Sequence, residues 1–154
     1  MSLLEDHLKW LNLHQEATLE PERPIVDPHH HFWPGEQHYL LEDLWLDTHS
    51  GHNIKKTVFI ECSQEFLKTG DIDFAPVGET IFVKKISDEA RKEKHKTQIE
   101  GIVGHVNLLI GPEKTHEVLT SHLEEGGNLF KGIRHAGGWD HHSELSNSHH
   151  SPPK

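Results

Sequence analysis

The chain alternates short apolar runs with stretches whose apolar residues recur at helical spacing. Near the start, Leu4, Leu8 and Leu11 stand at i, i+4 and i+7, with Leu3 and Trp10 beside them, which predicts a short amphipathic helix over 3–16. Ser2 and Glu5 have capping-box spacing, in which each side chain takes up a free backbone donor. Pro21 and Pro24 then break the pattern, because proline lacks a donor and holds its predecessor extended. Residues 1–23 therefore read as an N-terminal helical extension packed on the outside of the main folded unit.

From Ile25 onward the pattern becomes regular. Four runs predict strands over 25–32, 56–62, 101–108 and 129–135. The second is apolar on both faces at its centre, as buried parallel strands are. Helical spacing fills the intervals: Tyr39, Leu40, Leu41, Leu44 and Trp45 over 39–46, then Ile81, Phe82, Ile86 and Ala90 over 77–96. A third helix opens at Gly111-Pro112, where proline suits the first turn, and closes at Gly126-Gly127. The alternation is βαβαβαβ, the signature of an α/β protein with a parallel sheet, and right-handed crossovers place the helices on its outer faces. After Asp140 the apolar pattern stops. Residues 141–154 read as a disordered tail of His, Ser and Pro, leaving 24–140 as the folded unit.

Composition narrows the function. The 154 residues carry 25 Asp and Glu against 15 Lys and Arg, a formal net charge of −10. Non-specific nucleic-acid binding relies on basic residues, so no nucleic-acid partner is expected. A single cysteine, Cys62, excludes an intramolecular disulfide framework and a cysteine-based zinc finger. No apolar run approaches the length of a membrane span and no signal peptide is evident, so a soluble cytoplasmic protein with no membrane partner is expected. Histidine is abundant, 17 of 154 residues. On composition alone that would fit a histidine-rich metal-binding protein.

The histidines that carry chemistry are at the end of the first strand, in Asp27-Pro28-His29-His30-His31-Phe32-Trp33. Alternate residues of a strand share a face, so Asp27, His29 and His31 are expected on one side and His30 on the other. Two imidazoles about 7 Å apart along a strand can converge on one cation. The carboxyl ends of parallel strands are also where ligands bind. The pairs His141-His142 and His149-His150 read as incidental to the tail.

This stretch resembles the first-strand signature, Asp-x-His-x-His followed by aromatics, of the amidohydrolase superfamily. The likeness is to its amidohydrolase 2 branch, which includes L-fuconolactonase and 2-pyrone-4,6-dicarboxylate lactonase. Phe59-Ile60-Glu61-Cys62, Pro76-Val77-Gly78-Glu79-Thr80 and Gly132-Ile133-Arg134-His135 with Trp139-Asp140 come in that branch's order, over about residues 22–140. The resemblance implies the N-terminal half of a (β/α)8 TIM-like barrel that hydrolyses a small-molecule lactone, amide or related carbonyl substrate at its mouth. It implies His29 and His31 as ligands of one divalent metal, zinc first among them, or of substrate where a lactonase uses no metal.

Glu61 and Arg134 are the substrate-binding candidates. Arginine's planar fork matches a substrate carboxylate, and the alternative for both residues is an ion pair on the rim. Cys62 reads as a structural thiol, since nothing nearby activates it. Glu79 reads as a residue complementing the helix dipole. Trp33 and Trp139 either line a pocket or cap the core.

A complete barrel takes eight βα units and about 250 residues, whereas four units are found here. The catalytic residue is therefore unknown, since the branch's strand-eight aspartate has no counterpart, and the chain reads as truncated. This leaves two expectations. One is a lactonase-like hydrolase whose barrel is completed by association, for example as a homodimer. The other is a catalytically inactive half-barrel that keeps a vestigial ligand or metal site.

Overall fold

The computed structural model describes residues 9–14, 16–36 and 38–145. In chain order the elements are β1 (Pro24–His30), α1 (Leu41–Thr48), β2 (Asn53–Ile60), α2 (Val77–Ala90), β3 (Gln98–Gly104), α3 (Pro112–Gly126) and β4 (Phe130–Ile133). The strands form one sheet in the order β1-β2-β3-β4, every pair parallel. The protein is thus an α/β fold with a four-stranded parallel sheet.

All three helices lie on one face of that sheet. Leu44 of α1 and Val83 of α2 pack with Phe59, Ile99 and Ile102 of the strands, and Val118 of α3 packs with Val77 of α2. Strand order explains this. Each crossover moves one strand in the same direction, so crossovers of one hand all land on the same side. A sheet whose order reverses midway would carry helices on both faces.

The opposite face has no helix. Pairing of Val58 with Gly101 and of Ile60 with Val103 sets these residues on it. A Cβ at Gly101 would meet the side chains of Val58 and Lys131, which places Lys131 there too. Val26, aligned with Lys56 at the entrance of the sheet, is 56 % exposed.

Element boundaries differ from the sequence expectation in instructive ways. The second helix stops at Ala90 instead of running to 96. Ala90 is its last buried residue, and the Gln98 side-chain amide donates to the carbonyls of Ala90, Glu93 and Lys96. That capping satisfies groups a longer helix would otherwise have bonded internally. The third strand ends at Gly104, short of the expected 108, because Leu108–Ile110 turn into a short 3₁₀ segment capped by the Asn107 side chain.

Of the expected N-terminal helix, residues 9–11 are helical and 12–13 turn. Residues 1–8 and 15 lie outside the described residues. Among the described residues of this segment, Trp10, Leu11 and Leu13 are each more than half exposed. Of the expected tail, residues 141–145 are exposed and 146–154 lie outside the described residues.

Candidate functional site at the carboxyl end of the sheet

The first residue beyond each strand is a polar side chain with a partner at the mouth: His31, Glu61, His105 and Arg134 come after β1, β2, β3 and β4 in turn. The parallel ladder continues through two of them, since Glu61 N–H donates to the Val103 carbonyl at 2.8 Å and Arg134 N–H to the Gly104 carbonyl at 2.9 Å. These positions are therefore held by backbone pairing even though they lie past the strand ends.

On β1 the sequence parity holds for the histidines and fails for the aspartate. His29 Nε2 and His31 Nε2 lie 3.2 Å apart. His30 points the other way into the core, against Phe32 and Phe59. Burial pushes its imidazole pKa down to about 4. Asp27 pairs with Thr57 and His30 with Phe59, and Thr57 and Phe59 share a face. The intervening Pro28-His29 absorbs a slip of one residue, which takes Asp27 off the face the two site histidines share. Its carboxylate instead accepts the His29 backbone N–H at 3.0 Å.

His31 Nδ1 lies 2.8 Å from the Ile60 carbonyl, an acceptor only. Nδ1 therefore carries the proton, and Nε2 keeps its lone pair. Two nitrogens bound at about 2.0–2.1 Å in a tetrahedral zinc site stand roughly 3.3 Å apart. The His29–His31 separation fits two such ligands, and the Ile60 bond is the outer-shell contact that usually fixes a metal-bound imidazole. A complete zinc site uses three or four donors. Among the described residues, the set of three that comes together is a different one, Asp140, His141 and His142, with one ligand atom of each within 4.8 Å of the others. It stands on the exposed segment after β4.

Glu61 and Arg134 come together. Arg134 Nε donates to Glu61 Oε1, and its terminal nitrogen donates to the Glu61 carbonyl, each at 2.7 Å. The guanidinium thus spans from β4 to β2 across the end of β3. Part of its fork is engaged internally, with one terminal nitrogen left outside these two bonds. Glu61 is buried, so the pair holds its charge in place.

His105 has no counterpart among the sequence candidates. Its Nδ1 donates to the Arg134 carbonyl at 3.1 Å, and its ring meets that of His135 edge-on with centroids 5.4 Å apart. Reading the third strand through to 108 hid it, since its position one residue past the strand is the signal it shares with the other three. His135 Nδ1 accepts the Leu108 N–H at 3.0 Å, which ties down the chain after β3.

Trp33 sits beside His31, with ring centroids 5.7 Å apart. Its backbone forms a two-bond bridge with Tyr39. Trp33, Gly35, Glu36 and Gln64 line a cleft of about 330 Å³. Trp139 is 37 % exposed and is no part of the core. Burial pushes the Cys62 thiol up to about 12, with the Glu79 carboxyl acting in the same direction, so it stays protonated. A thiol held so is no nucleophile at neutral pH.

No protein-family model, no curated protein and no solved structure matches the chain. Among the described residues, no helix is long and apolar enough to cross a membrane.

Proposed function

We propose that the mouth formed by His31, Glu61, His105 and Arg134 is the active site of a lactonase-like hydrolase, part of a (β/α)8 barrel of the amidohydrolase kind. The observation that carries this reading is the His29–His31 pair, with its Nε2 atoms 3.2 Å apart at the carboxyl end of a parallel sheet. One-sided helices and sequential strand order agree with a sheet that curls, since a closed barrel carries its helices outside only. His29 and His31 would hold a divalent cation, zinc first among the candidates. When bound, such an ion polarises a carbonyl and lowers the pKa of water. Arg134, held by Glu61, would orient a carboxylate or carbonyl oxygen of a small-molecule substrate through its remaining N–H groups. A second copy related by a two-fold axis parallel to the strands would pair β4 with the partner's β1 on both sides and close the barrel.

Zinc titration by calorimetry with a parallel lactone-hydrolysis screen tests this. Expected are one zinc per chain and lactone turnover. Both are lost in His29→Ala/His31→Ala and kept in His141→Ala/His142→Ala. Zinc that depends on His141 and His142 instead, with no turnover of any lactone, overturns it.

A second reading, a site that binds without turnover, is favoured by two observations. Arg134 and Glu61 already engage each other, and among the described residues no third donor joins the two histidines. Stoichiometric binding of zinc or a carboxylate without hydrolysis would establish that reading.

A further inference from the structure

Glu79 stands at the third position of α2 and is 1 % exposed. A carboxylate that only complements the helix dipole needs no burial. Glu79 instead turns inward. Its Oε1 accepts the backbone N–H of Cys62 at 3.1 Å and of Gln64 at 2.7 Å, while Oε2 is buried without a hydrogen-bond partner. The loop it grips holds an uncommon backbone: Ser63 at φ +62° and Glu65 at φ +52° are both left-handed without being glycine. Such residues persist where the surroundings over-determine them.

The surroundings here are the first turn of α2. Gly78 lies flush on the loop, where a Cβ would overlap the Glu65 carbonyl oxygen and the Leu67 nitrogen. Leu67 N–H donates to the Ala75 carbonyl at 2.8 Å just before the helix. The gripped segment begins one residue after Glu61, which holds Arg134, and includes Gln64, which lines the cleft beside Trp33.

We infer that Glu79 is a positioning residue, a buried clamp that fixes the loop after β2 and through it sets Glu61 and Gln64 at the mouth. Burial raises its pKa above the ordinary carboxylate range. Glu61 adds to that, and the Gln64 amide with the Cys62 amide and thiol oppose it. A protonated carboxyl still offers Oε1 to both N–H groups, as a glutamine amide would. The glutamine variant therefore separates the clamp from any need for charge. That role presupposes the mouth proposed above as the functional site, whereas amide exchange and Arg134 resonances need neither substrate nor metal. A hydrolysis screen that fails would leave the clamp measurable.

Three readouts test it on the full chain. Hydrogen exchange at the Cys62 and Gln64 amides should be at least about ten-fold faster in Glu79→Ala than in wild type, since each amide loses a buried acceptor. The Arg134 Nε resonance should shift in the same variant, because its Glu61 acceptor moves. Cys62 should react faster with a thiol reagent. Glu79→Gln should restore amide protection and the Arg134 resonance to wild-type behaviour. If Glu79→Ala fails to fold, Glu79→Gln decides alone, with both amides protected and the Arg134 resonance in place as the supporting result. Protected amides in a folded Glu79→Ala, or a folded Glu79→Gln with exchange as fast as an unclamped loop, overturn the inference.

Discussion

On the helix-covered face of the sheet, His122 is sealed from solvent. Its Nδ1 accepts the Thr80 hydroxyl at 2.8 Å, its Nε2 donates to the His105 carbonyl at 3.0 Å, and its ring stacks on Phe130. On the other face, His29 is exposed, and its Nε2 lies 3.2 Å from that of His31. The same residue type is a structural bolt in one place and a solvent-facing ring in the other. Burial with both nitrogens satisfied locks a tautomer and removes the ring from chemistry. Partial exposure with a free lone pair leaves it available. Histidine abundance therefore says little until each ring is assigned to a face.

Substitutions on the two faces should differ sharply. The largest effect is expected from Phe59→Ala, which empties the centre of the helix-side core where Phe59 stacks on Phe32. It should cost about 3–5 kcal/mol by chemical denaturation, the usual range for a buried aromatic. Next comes His122→Gln, at roughly 1–3 kcal/mol for the displaced buried partners. Its pH dependence carries a sign. Burial lowers the folded-state pKa of His122 below its ordinary 6.5. As pH falls, the unfolded chain takes up that proton first, so the contribution is complete above 6.5 and declines below it. The stability gap between wild type and His122→Gln should therefore narrow on acidification. A gap that widens would mean the folded ring gains a proton.

The smallest effect is expected from Val26→Ser on the uncovered face, within about ±0.5 kcal/mol for the isolated chain. This substitution also tests the comparison itself. If a second copy covers that face, Val26→Ser should weaken the dimer measured by light scattering while leaving the helix-side core intact. A large monomer destabilisation would show that the face is already packed.

The four strands and the three helices between them are legible in the sequence, because short apolar runs have little choice but burial. The boundaries are less so. Gln98 enters β3 and caps α2 with the same side chain, a double role that no local pattern announces. At the site, alternation along β1 brings out His29 and His31, while the slip at Pro28 that removes Asp27 depends on register with β2. Glu61 and Arg134 are each readable as mouth residues, but their meeting across β3 requires the sheet. The Glu79 clamp is hidden most thoroughly. Its first-turn position looks like a dipole residue, and only the folded loop after β2 turns it into a buried acceptor.

The order β1-β2-β3-β4 has a consequence for assembly. Every strand after β1 finds a partner one unit back along the chain, already made when it emerges. Each closure spans a single crossover, the least that a parallel pair allows. On a ribosome, β1 and α1 can dock as β2 emerges, and each later unit adds to a template already standing. The ladder can thus be laid down in the direction of synthesis, rung by rung, from the histidine-bearing strand outward.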